Sequence, residues 1–261
     1  MIIDGRKMAA EVLSRAKERA QMLPRQPLVV AIVGSETPAT RSYLKIKGAR
    51  AVDAGCLFEM RPLGTAFGDA GAVIIQLPLP DGVNQKEICD SVPVEKDADV
   101  LSSAAREKFE RGNADALLPP VVGAVREIFV QNRINPKGKR AVVIGRGFLV
   151  GAPAATWLTQ QGAEVEIATS KTEDLSAVLR TADIIVSGAG SPHLIKPEML
   201  KDGVVLIDAG TSESDGTLAG DASPSCAEKC SLFTPVPGGV GPLAVACLFE
   251  NAVMLAEKDR G

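Results

Sequence analysis

The chain has 261 residues, 46% of them hydrophobic, and a formal net charge of −3 at pH 7, which is apolar material enough for one large core or two modest ones. Its lysines and arginines are dispersed among acids, so no basic stripe is available to follow a nucleic-acid backbone, and nucleic acid is not expected as a partner. Five cysteines without a CxxC pair and a single histidine, His193, leave little material for a zinc site. No metal is expected, and reduced thiols in the cytoplasm are.

In chain order, the start MIIDGRKMAAEVLSRAKERA is charged and amphipathic, without the apolar core of a signal peptide. A helix is predicted over 7–23, with Ala9, Val12, Leu13 and Ala16 on one face. PLVVAIVG (27–34) reads as a buried strand ending in glycine. Pro38 and Thr40 then precede a helix bearing Tyr43, Lys47 and Arg50. A short loop is expected to lead to a strand over 72–77, AVIIQL, which ends in an amide, Gln76, before Pro78 and Pro80. Prolines lack the ladder donor, so the strand stops there, and a polar group at such a point has a target. Helical patterns follow at 84–90 and, after Pro119 and Pro120, at 121–132.

NPKGKR (135–140) marks a change of character. From there strand and helix signals alternate: AVVIG, EVEIAT (164–169), DLSAVLRTA (174–182), DIIVSGAG (183–190), KPEMLKDG (196–203) and VVLIDAG (204–210). Near-continuous apolar strands alternating with helices predict a parallel sheet covered on both faces, a doubly wound α/β unit. An apolar helix is predicted over 242–258, returning to pack on the first domain. No stretch reaches about 18 uninterrupted apolar residues, so no membrane partner is expected.

VVIGRGFLVG places Gly145, Gly147 and Gly151 between a strand and a helix, a GxGxxxG spacing. Such a turn lets backbone approach a phosphate at a helix N-terminus, although a tight βα turn without a ligand has the same pattern. Arg146 lies inside the loop, and the next strand ends in Thr169 and Ser170 with no Asp or Glu to hold a ribose diol. A cation and a hydroxyl suit a 2′-phosphate, so NADP is favoured and NAD is the alternative.

With these motifs in hand, the chain resembles the methylenetetrahydrofolate dehydrogenase/cyclohydrolase family over nearly its whole length. The carriers are PATRSYLKIK (38–47), IIQLPLP (74–80), PVEKDAD (93–99), VIGRGFLVGAP (143–153), SKT (170–172), ADIIVSGAG (182–190), IDAG (207–210), GD (220–221) and TPVPGGVGP (234–242). The resemblance implies two domains: a folate-binding, catalytic α/β domain over 1–117 with 242–261, and a Rossmann-like NAD(P)-binding domain over 118–241. It implies Lys47 as the catalytic amine, Gln76 as its orienting partner and Tyr43 as a stacking platform for the folate ring. Lys45 fits an exposed, solvated helix face better than Lys47 does. Asp99 would hold the pterin, and Pro237, Gly238 and Gly239 would form a loop close to substrate. Asp97 and Lys96 are read as structural. Tetrahydrofolate derivatives are the implied partners, and a homodimer through the cofactor domains the implied assembly.

Several positions depart from the family pattern. Thr169–Ser170 stands for His-Ser, Gly147 for a serine after the loop arginine, LPPV (118–121) for Pro-Cys-Thr-Pro, and Val100 for the glycine after the pterin aspartate. The chain is also short between Gly55 and Val73. Two further readings therefore stay open beside the bifunctional enzyme: a dehydrogenase with little hydrolase activity, and a weakly catalytic nucleotide-binding paralogue.

Overall fold

The computed structural model describes residues 1–35, 37–214 and 217–258. Chain contacts divide it into two compact units. The first comprises Ala9–Pro120 and the chain from Val245 onward, the second Met1–Met8 and Val121–Ala244.

In the first unit, α1 (Gly5–Gln21, entering from the second unit) leads to β1 (Leu28–Val33), α2 (Pro38–Asp53), β2 (Leu57–Pro62) and β3 (Ala72–Gln76). The strands form a parallel sheet in the order β2-β1-β3, with Val33 opposite Gln76 at the end of the β1–β3 ladder. The sequence treats 57–62 as loop because its apolar residues follow no buried alternation. β2 is a sheet edge whose Leu57 and Met60 are exposed, and pairing with β1, rather than a hydrophobic face, makes it a strand. From the end of β2, Arg61 donates to the carbonyls of Ala66 and Phe67 and gathers the short connection to β3.

Next come α3 (Gln85–Asp90) and α4 (Ser103–Glu110). The second of these is absent from the sequence expectation, although Ser102 caps it by accepting from the Ala105 amide. Val30, Ile32, Val73, Ile75, Val92 and Leu101 form a core on one side of the sheet.

The second unit follows α5 (Pro120–Gln131) with β4 (Arg140–Ile144), α6 (Gly151–Gln160), β5 (Glu164–Ala168), α7 (Leu175–Arg180), β6 (Ile184–Ser187) and β7 (Val204–Asp208). A small antiparallel hairpin, β8 (Ser212–Ser214) and β9 (Thr217–Ala219), precedes β10 (Cys230–Phe233). The five-stranded sheet is wholly parallel in the order β10-β7-β6-β4-β5. This is a Rossmann-like α/β unit whose strand order reverses between β4 and β6. The segment 196–203, read as helical, forms only a single 3-10 turn, Pro197–Met199. β10 is too short and too mixed in composition to stand out in the sequence.

The N-terminal residues belong to this second unit, unlike in the sequence division. Ile3 N donates to Phe233 O and Phe233 N donates to Met1 O, which aligns Met1–Ile3 beside β10.

The last helix, α8 (Val240–Lys258), crosses into the first unit. There Phe249 meets Phe58 edge-on, Asn251 donates to the carbonyls of Ala98 and Leu118, and Glu257 pairs with Arg19 of α1. Burying one such phenylalanine is worth roughly 1.5–3 kcal/mol, so the return of the helix is a substantial part of that core. By length and composition α8 could cross a membrane, but 61% of its apolar window is buried, as in a core helix.

Candidate active site

The helix that carries the lysine starts at Pro38, where proline's missing N–H costs nothing, and Thr37 caps it by accepting from the Thr40 amide at 3.1 Å. The cap fixes the helix start, and Tyr43 and Lys47 follow one turn apart on one face. Lys47 is 6% exposed, as is Gln76. Its Nζ donates to Gln76 Oε1 at 3.0 Å, while Gln76 Nε2 donates to the Leu77 carbonyl at 2.7 Å. The second bond orients the amide so that its oxygen faces the amine. Burial pushes the Lys47 pKa down, because an ammonium out of water is poorly solvated, and the Asp99 carboxylate opposes that shift. Tyr43 is 47% exposed, and its ring centroid lies 5.6 Å from Lys47 Nζ, leaving a face open to a flat ligand. Burial raises its phenol pKa, and the Asp99 charge adds to the rise.

Asp99 is half-buried, and among the described residues no donor bonds its carboxylate. Burial pushes its pKa up, while Lys47 pulls it down. Two residues earlier, Asp97 accepts from the Leu101 and Ser102 amides and so ties the loop together. Lys96 likewise binds structure, donating to the Gly68 carbonyl. Val100 is fully buried with φ of 56°, a left-handed backbone that glycine adopts freely and a β-branched residue holds at a cost of about 1–3 kcal/mol. The chain thus keeps a glycine-like bend after Asp99 without the glycine.

In the second unit, Gly145 has φ of +96° and a side chain there would lie 2.8 Å from the Gly188 carbonyl oxygen. A side chain at Gly151 would strike the Gly145 carbonyl. Two of the three motif glycines are therefore required by close backbone approach, whereas Gly147 would meet Gly188 O only at 4.0 Å. Such a cradle at the start of α6 fits a pyrophosphate. Ile144 and Ala168 are register partners and Gly145 N donates to Ala168 O at 2.9 Å, so the loops after β4 and β5 lie side by side. Arg146 and Ser170 are both exposed there. Thr169 is partly engaged locally, its hydroxyl accepting from the Lys171 amide at 3.2 Å. The exposed Lys171 adds a second cation to this edge, a residue to which the SKT motif alone assigns no role.

Pro237, Gly238 and Gly239 also lie in the second unit. Gly238 has φ of +105°, and its carbonyl accepts from Gly5 N at 2.9 Å. Gly239 has no room for a side chain against Thr234 and Pro235. Among the described residues no three His, Cys, Asp or Glu side chains gather as a metal site. None of the five cysteines forms a disulfide and all are buried; burial pushes the Cys56 and Cys230 thiols up to about 12, out of reach of thiolate chemistry.

Sequence reasoning assigned no role to Ser187, Asp208 or Asp221, buried polar residues near the carboxyl ends of β6 and β7. The available signal was a pair of aspartates close to glycines, Asp208 two residues before Gly210 in IDAG and Asp221 directly after Gly220 in GD. A side chain at Gly210 would strike the Asp221 carboxyl group, and one at Gly220 the Asp208 carboxylate.

Fold and geometry define the class: an α/β protein whose second unit is of dinucleotide-binding type and whose first unit holds a buried, amide-bonded lysine. Comparison with known proteins narrows it. Residues 119–260 match the family model described as tetrahydrofolate dehydrogenase/cyclohydrolase, NAD(P)-binding domain. The bifunctional protein FolD of Moorella thermoacetica is 36% identical, over 98% of this chain and 99% of its own. The crystal structure of the Campylobacter jejuni FolD methylenetetrahydrofolate dehydrogenase/cyclohydrolase is similar at a TM-score of 0.94 and 30% identity, covering 99% of both chains. The Trypanosoma brucei enzyme, complexed with NADP cofactor and inhibitor, is similar at 0.92 and 29% identity, over 100% of this chain and 99% of its own. This chain belongs to the tetrahydrofolate dehydrogenase/cyclohydrolase family.

Proposed function

We infer that the chain is a bifunctional one-carbon enzyme. It oxidises 5,10-methylenetetrahydrofolate to the 5,10-methenyl cation with NADP and hydrolyses that cation to 10-formyltetrahydrofolate. The observation that carries the reading is the buried Lys47–Gln76 hydrogen bond. An amine in that position, with its pKa pushed down by burial, is available as a base closer to neutral pH than a solvated lysine.

For the oxidation, NADP supplies the hydride acceptor when bound. Gly145, Arg146, Gly147 and Gly151 would hold its phosphates, with Thr169 and Ser170 at the adenosine ribose. Tyr43 would stack on the folate ring, Asp99 would accept from the amino-pyrimidine donors, and Pro237, Gly238 and Gly239 would bring backbone close to the substrate. The chain's contribution to this half-reaction is positioning.

For the hydrolysis, water adds to the methenyl carbon, and Lys47 accepts one of its protons as the C–O bond forms. Lys47 returns that proton to the departing ring nitrogen as the C–N bond breaks. The second water proton passes to solvent, which accounts for the lost positive charge. Gln76 holds the amine toward the site, and as a neutral partner it does not stabilise the ammonium as a carboxylate would. The Asp99 carboxylate is free of internal hydrogen bonds among the described residues, which suits a group reserved for ligand donors.

The substrates are soluble folates, which suits a cytoplasmic enzyme. The homodimer rests on the family resemblance. A spectrophotometric assay with methylenetetrahydrofolate and NADP tests the function: reduced cofactor should appear without accumulation of the methenyl product. Accumulating methenyl product would reduce the protein to a dehydrogenase, and no turnover with NADP or NAD would reject both activities.

A further inference from the structure

We propose that Asp221 is a positioning residue for dinucleotide binding, acting through the loop that follows β6; this rests on the reading of the Gly145 turn as the nucleotide site. In a doubly wound sheet the ligand lies outside the carboxyl ends of the strands where their order reverses, here between β4 and β6. The walls of that crevice are the loops after these two strands. They are in direct contact: Gly188 N donates to Ile144 O at 3.0 Å, and a side chain at Gly188 would strike Val150. The position of residues 188–191 therefore sets the width available beside the glycine turn.

Asp221 holds that second wall. Its carboxylate is fully buried; Oδ2 accepts from Ser187 Oγ and from the Ala189 amide, both at 2.7 Å, and Oδ1 accepts from the Ser191 amide at 2.8 Å. All three donors come from one end of β6 and its loop. Asp208 in turn holds Asp221, accepting from the Asp221 amide at 3.2 Å, the Ala222 amide at 2.8 Å and the Gly210 amide at 2.9 Å. Glycines at 210 and 220 keep the space clear for both carboxylates. Two carboxylates buried together are costly unless nearly every lone pair facing protein is matched. Here the matching donors lie where a ligand would press.

The test uses the full-length protein with Asp221→Asn. The amide keeps the volume but turns one acceptor into a donor facing a backbone N–H. The KM for NADP should rise roughly ten-fold or more, as for loss of one charge-assisted bond. Hydrolysis of methenyltetrahydrofolate, which transfers no hydride, should stay within about two-fold of wild type. Amide exchange at Ala189 and Ser191 should quicken while β4 and β6 stay protected. An unchanged KM for NADP, or both activities falling in proportion, overturns the proposal. Should Asp221→Asn fail to fold, Ser187→Ala removes one donor only: a raised KM for NADP with unchanged hydrolysis supports the assignment, and an unchanged KM overturns it. Wild-type protein that does not bind NADP in calorimetry would reject the nucleotide site itself, a failure distinct from that of Asp221.

Discussion

An amine taken out of water and paired with a neutral amide holds its proton weakly, and Lys47 is in that situation. Replacing it with methionine keeps the stem and removes the proton carrier. We expect Lys47→Met to lower methenyltetrahydrofolate hydrolysis by about 100- to 10,000-fold while NADP binding, measured calorimetrically, is unchanged. Wild-type hydrolysis by the variant would reject the role. Asp99 acts on the same amine in the opposite sense to burial, its negative charge raising the Lys47 pKa. Asp99→Asn should therefore move the lysine limb of the hydrolysis kcat–pH profile to lower pH, and a shift to higher pH would contradict the coupling. At this scale the sequence was informative for Tyr43 and Lys47, whose spacing is local. That Gln76 and Lys47 meet, 29 positions apart, came from the resemblance and not from periodicity.

In the proposed nucleotide site the βα turn after β4 would make two kinds of cofactor contact. Gly145, whose backbone is left-handed and where a side chain would crowd Gly188, would serve any dinucleotide; Arg146 would read only the 2′-phosphate. Arg146→Ala should weaken NADP roughly ten-fold or more, as for loss of a charge-assisted bond, with little effect on NAD. Gly145→Ala should weaken both. Steady-state KM values with each cofactor check this, and equal loss for both in Arg146→Ala would show that the arginine does not read the phosphate. Elements were legible where their signal was internal. β1, β3, β4 and β6 are apolar runs, and α2 has its proline. β2 and α4 were not, because an exposed edge strand owes its shape to its neighbour, and α4 buries only Phe109, which leaves no apolar period to read.

Stability with pH is a property of the whole molecule, and Asp208 contributes to it with an unusual sign. Burial pushes the Asp208 pKa from 3.8 up to about 6, opposed by its three backbone donors. Its folded state therefore holds a proton that the unfolded chain has already released. Its contribution is fully present below the unfolded pKa and is lost as pH rises through the folded one, on the order of 1–3 kcal/mol. Between about pH 4 and 7.5, a window that spans both pKa values, urea unfolding of the wild type should show this loss. Asp208→Asn should lack it, so the destabilisation caused by the substitution is greater at the acid end of that window than at the alkaline end. A substitution effect that grows with pH would refute the assignment.

The sequence by itself determined the parallel α/β character, the glycine turn with its nearby cation, and the helix bearing Tyr43 and Lys47, because each rests on residues within a few turns of one another. Tertiary structure alone decided that the first eight residues join the second unit, that an aspartate at 221 holds the loop after β6, and that Lys47 is buried with its pKa pushed down. Burial and hydrogen bonding between distant segments are set by packing, and packing leaves no period in the chain.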